Sequence, residues 1–130
     1  MNKYLLTSII LAIFLIVGHF ISTHFGWYDE YGITDIILHT SSGILTVCLW
    51  IWLTEKRFTG DLFITCVAII GVTLFVAFIW EVWEFGINGI IPKVFYNYIP
   101  TLSDSLSDMS CALLGSVIVT LFYWRKNQKV

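Results

Sequence analysis

The sequence predicts an all-α integral membrane protein, folded as a bundle of four transmembrane helices. Hydrophobic residues make up 58% of the 130-residue chain and charged residues only 12%, which is more apolar surface than a soluble domain of this size can bury. The apolar residues also fall into four long runs, and each is close to the roughly 20 residues that cross a bilayer as a helix. The predicted spans cover residues 4–24, 33–54, 62–85 and 102–124.

The first span follows Lys3 and has the general form of a secretory signal. It is longer than the apolar part of a signal peptide, and the segment VGHFISTHFG at its end offers no small-x-small cleavage site. We therefore expect a helix that is retained, and a chain that forms one membrane domain without a soluble domain.

The basic residues predict the orientation of the bundle. Six of the seven lie near the two chain ends or between the second and third spans, namely Lys3, Lys56, Arg57, Arg125, Lys126 and Lys129. The positive-inside rule therefore predicts that both chain ends are cytoplasmic. The chain has no basic tract, which argues against nucleic acid as a partner and leaves membrane lipid as the expected one.

Six ionisable side chains lie where this topology brings three span ends to one level. Asp35 and His39 begin the second span, Glu81 and Glu84 close the third, and Asp104 and Asp108 begin the fourth. The spacing is i,i+3 or i,i+4 within each pair, so both members share one helical face. With a rise of 1.5 Å per residue, the deeper members lie roughly 6–10 Å below the helix starts. The sequence therefore predicts one polar site in the outer third of the membrane.

Small residues continue two of these faces. Ser42, Gly43 and Thr46 follow His39 on the second span, and Cys111, Ala112 and Gly115 follow Asp108 on the fourth. Because small residues let membrane helices approach closely, we expect both faces to point into the bundle.

The predicted site lacks a basic partner, since Lys and Arg lie almost entirely on the other side of the membrane. A bound cation or shared protons must then neutralise the carboxylates. Carboxylate and imidazole groups suit Zn, Mn, Fe or Mg. The predicted metal ligands are His39, Glu81, Glu84, Asp104 and Asp108, supported by Asp35, Ser42 and His19. The candidates for acid–base catalysis are Asp35, His39 and Glu81.

Several of these residues also have a purely structural explanation. Asp104 is a candidate N-cap of the fourth helix, beside Thr101, and Asp35 is one for the second helix. Glu81 alone is explained by a bond to a neighbouring helix. As a set they favour function, because ionisable groups inside membrane helices are costly.

Three motifs resemble those of small bacterial inner-membrane proteins of the YjdF type. They are D-x-x-x-H-x-x-x-G from Asp35, E-x-x-E-[FW] from Glu81 and D-x-x-x-D-M from Asp104. The resemblance spans roughly residues 33–118 and implies a multi-pass protein of the bacterial inner membrane with this polar constellation, but no particular reaction. A weaker likeness is to VanZ-like proteins, whose expected Arg and Gln are absent here.

Three functions remain open from the sequence. The first is a metal-dependent hydrolase or transferase acting on a lipid or lipid-linked substrate, although the sequence has no Ser/His/Asp triad pattern and no glycine-rich phosphate loop. The second is a subunit of a cation- or proton-coupled transporter, for which four helices need a homo-oligomer to enclose a pore. The third is a structural or regulatory membrane subunit, in which shared protons or a metal fix the helix packing.

Overall fold

The computed structural model describes residues 2–30, 32–54, 61–90 and 101–128, with side chains for all of these except 29, 30 and 87–90. The helices are α1 (Lys3–Phe25), α2 (Trp27–Glu30), α3 (Gly32–Thr54), α4 (Leu62–Ile90) and α5 (Leu102–Asn127). All but the short α2 are long and apolar enough to cross a membrane. The predicted fold class, a helical protein with four membrane spans, is therefore confirmed.

Several helix ends have a side-chain cap or a glycine stop. The Asn2 side chain accepts a hydrogen bond from the backbone of Tyr4 at the start of α1, and α1 ends at Gly26 in the left-handed conformation (φ 69°). The Asp61 carboxylate accepts one from the backbone of Phe63 at 2.6 Å, at the start of α4. Thr101 is the N-cap of α5. Each cap satisfies amide groups that the first turn of a helix leaves unpaired.

Two connections differ from the sequence prediction. Residues 27–30 form the short helix α2 rather than a loop. Helix α4 continues past the predicted end at residue 85 to Ile90. The first proline after Glu84 is Pro92, which disfavours the helical conformation of residue 91, so the chain has no proline to end the helix at the predicted position. The residues that set the predicted orientation between spans, Lys56, Arg57 and Lys93, and also Lys129, lie outside the described ranges.

Helices α3 and α5 form the centre of the bundle; α1 packs against α3, and α4 packs mainly against α5. The two central helices touch through glycine. A Cβ added to Gly43 would lie 1.9 Å from the backbone oxygen of Ala112, and one added to Gly115 would lie 2.1 Å from that of Thr40. Only hydrogen fits at either position, so the predicted close approach of these two faces is confirmed.

The bundle has two unlike ends. We call the end at which α1 and α4 finish and α3 and α5 begin the carboxylate end. Towards the opposite end, Val47, Ile51 and Ile69 form a buried apolar core. Outside this interior the long helices expose many large apolar side chains, as a surface covered by lipid requires.

Candidate functional site

Asp35, His39 and Asp108 meet at the carboxylate end. The Nε2 atom of His39 lies 3.3 Å from Oδ1 of Asp35 and 3.7 Å from Oδ2 of Asp108. One potential ligand atom from each of the three residues lies within 4.8 Å of the others. The same imidazole nitrogen therefore faces two carboxylates, which is the arrangement of a bridged proton or of a shared cation.

The local structure explains why these groups meet. Asp35 and His39 are one turn apart on α3, so their side chains lie on one face. Asp108 comes from α5, on the face that Ala112 and Gly115 continue. Because the glycine contacts bring α3 and α5 together about one turn further into the bundle, Asp108 is pressed against His39 and is itself buried.

A cavity of about 590 Å³ opens beside these three residues. Its walls come from α1, α2, α3, α4 and α5, and among its lining residues are Asp35, His39, Glu84, Asp104 and Asp108. Five of the six ionisable residues that the sequence placed at one level therefore share one cavity. This volume is within the range of roughly 300–1,000 Å³ typical of small-molecule sites.

The sixth residue, Glu81, has a different position. It is buried, and it approaches the side chain of Ser105 on α5 rather than lining the cavity. The structural explanation considered for Glu81, a link to a neighbouring helix, matches this placement.

The alternative for Asp104 was an N-cap, and that position belongs to Thr101, whose hydroxyl accepts a hydrogen bond from the Asp104 backbone at 3.2 Å. The Asp104 side chain lines the cavity. Asp35 lies inside the first turn of α3 and in direct contact with His39. It is thus as close to the centre of the cluster as the residues named as ligands.

The two remaining predicted residues both line the cavity. Ser42 donates its hydroxyl to the backbone oxygen of His39 at 2.7 Å, within its own helix. The Nδ1 atom of His19 lies 2.9 Å from the hydroxyl of Tyr28, and its ring contacts that of Trp80 edge to face at 6.3 Å. His19 therefore belongs to an aromatic wall of the cavity, away from the contact between His39 and Asp108.

The sequence reasoning missed a polar contact below the cavity. The hydroxyls of Thr73 on α4 and Ser116 on α5 lie 3.0 Å apart, and both side chains are almost wholly buried, at 1% and 0% exposure. The signal was present in the spacing, since Ala112, Ser116 and Thr120 follow Asp108 in steps of four residues, and all four side chains are buried.

Fold and site together define a multi-pass helical membrane protein with a partly buried carboxylate–histidine cluster at one end of its bundle. The family model described as a predicted membrane protein, DUF2238, matches residues 3–129, and the chain belongs to this family. No curated protein and no solved structure matched the chain.

The arrangement supports two kinds of chemistry. Two carboxylates and an imidazole are hard and borderline ligands, suited to a divalent ion such as Zn, Mn or Fe. The same groups also suit the holding and transfer of a proton. Glu84 and Asp104 add carboxylates on the cavity wall that the three-residue contact does not use.

Proposed function

We propose that this DUF2238 protein binds one divalent metal ion through Asp35, His39 and Asp108, and acts as a metal-dependent hydrolase or transferase on a lipid or lipid-linked substrate. The observation that carries the proposal is the position of His39, whose Nε2 faces carboxylate oxygens from two different helices. A proton there satisfies the nitrogen poorly at 3.3 and 3.7 Å, because good N–H···O hydrogen bonds are 2.7–3.2 Å long.

The residues fit a shared ion. Zinc bound by nitrogen and oxygen has ligand distances of about 2.0–2.2 Å, so two ligands of one ion lie at most about 4.4 Å apart. The ligand atoms here lie within 4.8 Å of one another, which requires only a small movement of the side chains. Three protein ligands also leave a coordination position for water or substrate, as catalytic zinc sites do.

The remaining carboxylates have roles in this proposal. Glu84 and Asp104 line the same cavity, where one of them holds a water molecule or accepts its proton. A bound divalent ion supplies a polarised substrate oxygen or an activated water. The hydroxyl of Ser42 donates a hydrogen bond to the backbone carbonyl of His39 and so stabilises the backbone that carries the imidazole.

The location and the orientation of the protein are also part of this proposal. We place the protein in the bacterial inner membrane, with both chain ends in the cytoplasm and the carboxylate end in the outer third of the bilayer. The basic residues support this orientation through the positive-inside rule. The YjdF-type resemblance and the DUF2238 match, in this proposal, describe the same group of proteins.

Transport is the second candidate, and the buried hydroxyls on the facing sides of α4 and α5 favour it. Thr65, Thr73, Ser116 and Thr120 extend from the level below the cavity towards the opposite end. A pathway within one chain has to pass the direct contact of Thr73 with Ser116 and the core of Val47, Ile51 and Ile69. A transporter predicts metal or proton flux in liposomes, and an enzyme site closed at one end does not.

The test is the metal content of protein purified in detergent, for the wild type and for Asp108→Asn and Glu84→Gln. We expect close to one divalent ion per wild-type chain, a large loss in Asp108→Asn and a smaller loss in Glu84→Gln. The matched control is Asp61→Asn, the same chemical change at the opposite end of the bundle, where asparagine preserves the helix cap.

The possible outcomes distinguish a metal site from shared protons and from a structural role. A wild type without metal, after reloading with Zn, Mn and Fe, overturns the metal site and leaves shared protons. Metal that stays unchanged in Asp108→Asn overturns the ligand set. Failure of both site variants to fold, with the control intact, favours the structural role.

A further inference from the structure

The shape of the cavity indicates how a ligand reaches the cluster. Helices α1 and α4 form two of its walls, yet among the described residues no Cα of α1 lies within 8 Å of a Cα of α4. Helix α3 lies between them and forms the floor. The gap between α1 and α4 is therefore bridged by side chains alone, and the contact of His19 with Trp80 spans it.

The residues at this gap show what it faces. Ile16 and Phe20 of α1 line the cavity while being 59% and 66% exposed, and Val76 of α4 lines it at 46% exposure. Residues that line a cavity and are also exposed mark its mouth. These three lie within membrane spans and are apolar, so the mouth opens towards the hydrocarbon of the bilayer rather than only towards water.

The interior of the cavity has the opposite character. Four carboxylates line it, from Asp35, Glu84, Asp104 and Asp108, and the described lining contains no Lys or Arg. With carboxylates on its wall and no basic side chain in the described lining, the cavity disfavours an anionic headgroup. A cationic headgroup complements the carboxylates.

Aromatic rings reinforce this preference. Tyr28, Trp80 and Phe20 line the cavity, and their rings surround that of His19 at centroid distances of 5.9, 6.3 and 6.1 Å. Carboxylates beside tyrosine and tryptophan faces are the groups that bind organic ammonium ions, through charge and cation–π attraction.

We propose that the cavity binds an amphiphile with an ammonium headgroup, whose alkyl chain lies in the gap between α1 and α4 and whose headgroup lies among Glu84, Asp104 and the aromatic wall. This inference deepens the function proposed above by naming the substrate class, and it rests on that function for the reacting centre at His39. It does not depend on metal for binding, since the carboxylates and aromatic rings belong to the chain itself.

The test uses the fluorescence of Trp80 as a reporter. Protein in phosphatidylglycerol nanodiscs, which contain no ammonium lipid, is titrated with a trimethylammonium amphiphile brominated along its alkyl chain. A second titration uses the same brominated chain with a sulfate headgroup. Bromine quenches tryptophan at short range, so binding in the cavity gives a saturable loss of fluorescence, whereas partition into the disc gives a loss without saturation.

We expect saturable quenching by the ammonium probe only, and a smaller saturable loss in Trp80→Phe, which keeps five tryptophans, including the neighbouring Trp83. The double variant Glu84→Gln/Asp104→Asn keeps the shape of the cavity and should bind the ammonium probe about tenfold more weakly. Asp61→Asn is the matched control and should bind as the wild type does. Equal binding by the double variant, or saturable binding of the sulfate probe, overturns the inference.

The same titration on chelated and on Zn²⁺-loaded protein separates this inference from the metal proposal. Saturable ammonium binding by a protein that takes up no Zn²⁺ on reloading leaves the ligand class standing and overturns the metal enzyme. Bound metal without selective quenching overturns the ammonium ligand class and leaves the metal site standing.

Discussion

The two ends of the bundle use the same helices for different purposes. At the carboxylate end, α1 and α4 lie apart on either side of α3, and the cavity of about 590 Å³ there is lined by ionisable side chains. Towards the opposite end, Val47, Ile51 and Ile69 pack into an apolar core, and Thr73 of α4 contacts Ser116 of α5. The glycine contacts of Gly43 and Gly115 lie between the two regions.

The difference shows how a small membrane protein separates stability from function. Lipid is as apolar as leucine, so helix association in a membrane depends on close packing and on buried polar contacts rather than on hydrophobic burial. Those contacts are concentrated at Gly43 and Gly115, which we call the glycine layer, and in the half of the bundle between this layer and the end opposite the carboxylate end. The carboxylate end is then free to keep costly ionisable groups around a cavity.

The largest expected loss of stability follows from adding a methyl group at Gly43 or Gly115. We expect Gly43→Ala and Gly115→Ala each to lower the free energy of unfolding by about 3 kcal/mol, the upper end for overpacking, because the new methyl group meets the backbone of the facing helix. The measurement is unfolding by sodium dodecyl sulfate in mixed micelles. Gly71→Ala in α4 is the control, since nothing lies within 4 Å of its added Cβ. Equal effects at Gly43 and Gly71 would show that α3 and α5 are further apart.

The next largest effect tests the carboxylate end alone. Zn²⁺ at about 100 times its dissociation constant should raise the free energy of unfolding by about 2.7 kcal/mol, as expected for a ligand that binds only the folded protein. The gain should disappear in Asp108→Asn and persist in Asp61→Asn. Stabilisation of all three proteins to the same extent would mean that zinc binds elsewhere.

An isoleucine-to-alanine substitution in each half of the bundle compares how much packing at the two ends contributes to the free energy of unfolding. Ile69 is 1% exposed in the apolar core, and Ile36 lines the cavity and is half exposed. Ile69→Ala should lower the free energy of unfolding by about 2 kcal/mol through lost packing, and Ile36→Ala by clearly less. Denaturation of both variants in one detergent measures the difference, and a larger cost at Ile36 would reverse the assignment of the two ends.

The smallest predicted effect concerns the hydroxyl contact. A double-mutant cycle of Thr73→Val and Ser116→Ala should give a coupling of about 0.6 kcal/mol, typical of polar contacts between membrane helices. Thr73→Val paired with Ser110→Ala should give none, because Ser110 is exposed and donates its hydroxyl to the backbone oxygen of Leu106 in its own helix. A coupling at Ser110 as large as at Ser116 would mean that the cycle does not report the contact.

Most of the fold and a large part of the candidate site could be predicted from the sequence, because the signals for them are short-range and periodic. Long apolar runs and the bilayer thickness determine the four spans, and the i,i+4 spacing places Asp35 with His39 and Asp104 with Asp108. The small residues at Gly43 and Gly115 indicated which faces meet. These signals are local and periodic, so they are readable without a structure.

Other features depend on how helices rotate against one another, which spacing does not specify. Glu81 and Glu84 were both predicted as metal ligands; Glu84 lines the cavity, whereas Glu81 lies beside Ser105 and is not among the lining residues. Residues three apart on a helix differ by about 60° in direction, and that angle is enough to separate them at a helix interface. The aromatic wall around His19 likewise depends on the short helix α2, which the sequence prediction lacked.

The most direct test of the metal site is X-ray absorption at the zinc edge of Zn²⁺-loaded protein, compared with His39→Gln and the control His24→Gln. We expect one imidazole nitrogen with oxygen ligands in the wild type and in the His24 variant, and loss of the imidazole signal in the His39 variant. Bound zinc without an imidazole ligand, or an imidazole signal that survives His39→Gln, would contradict it.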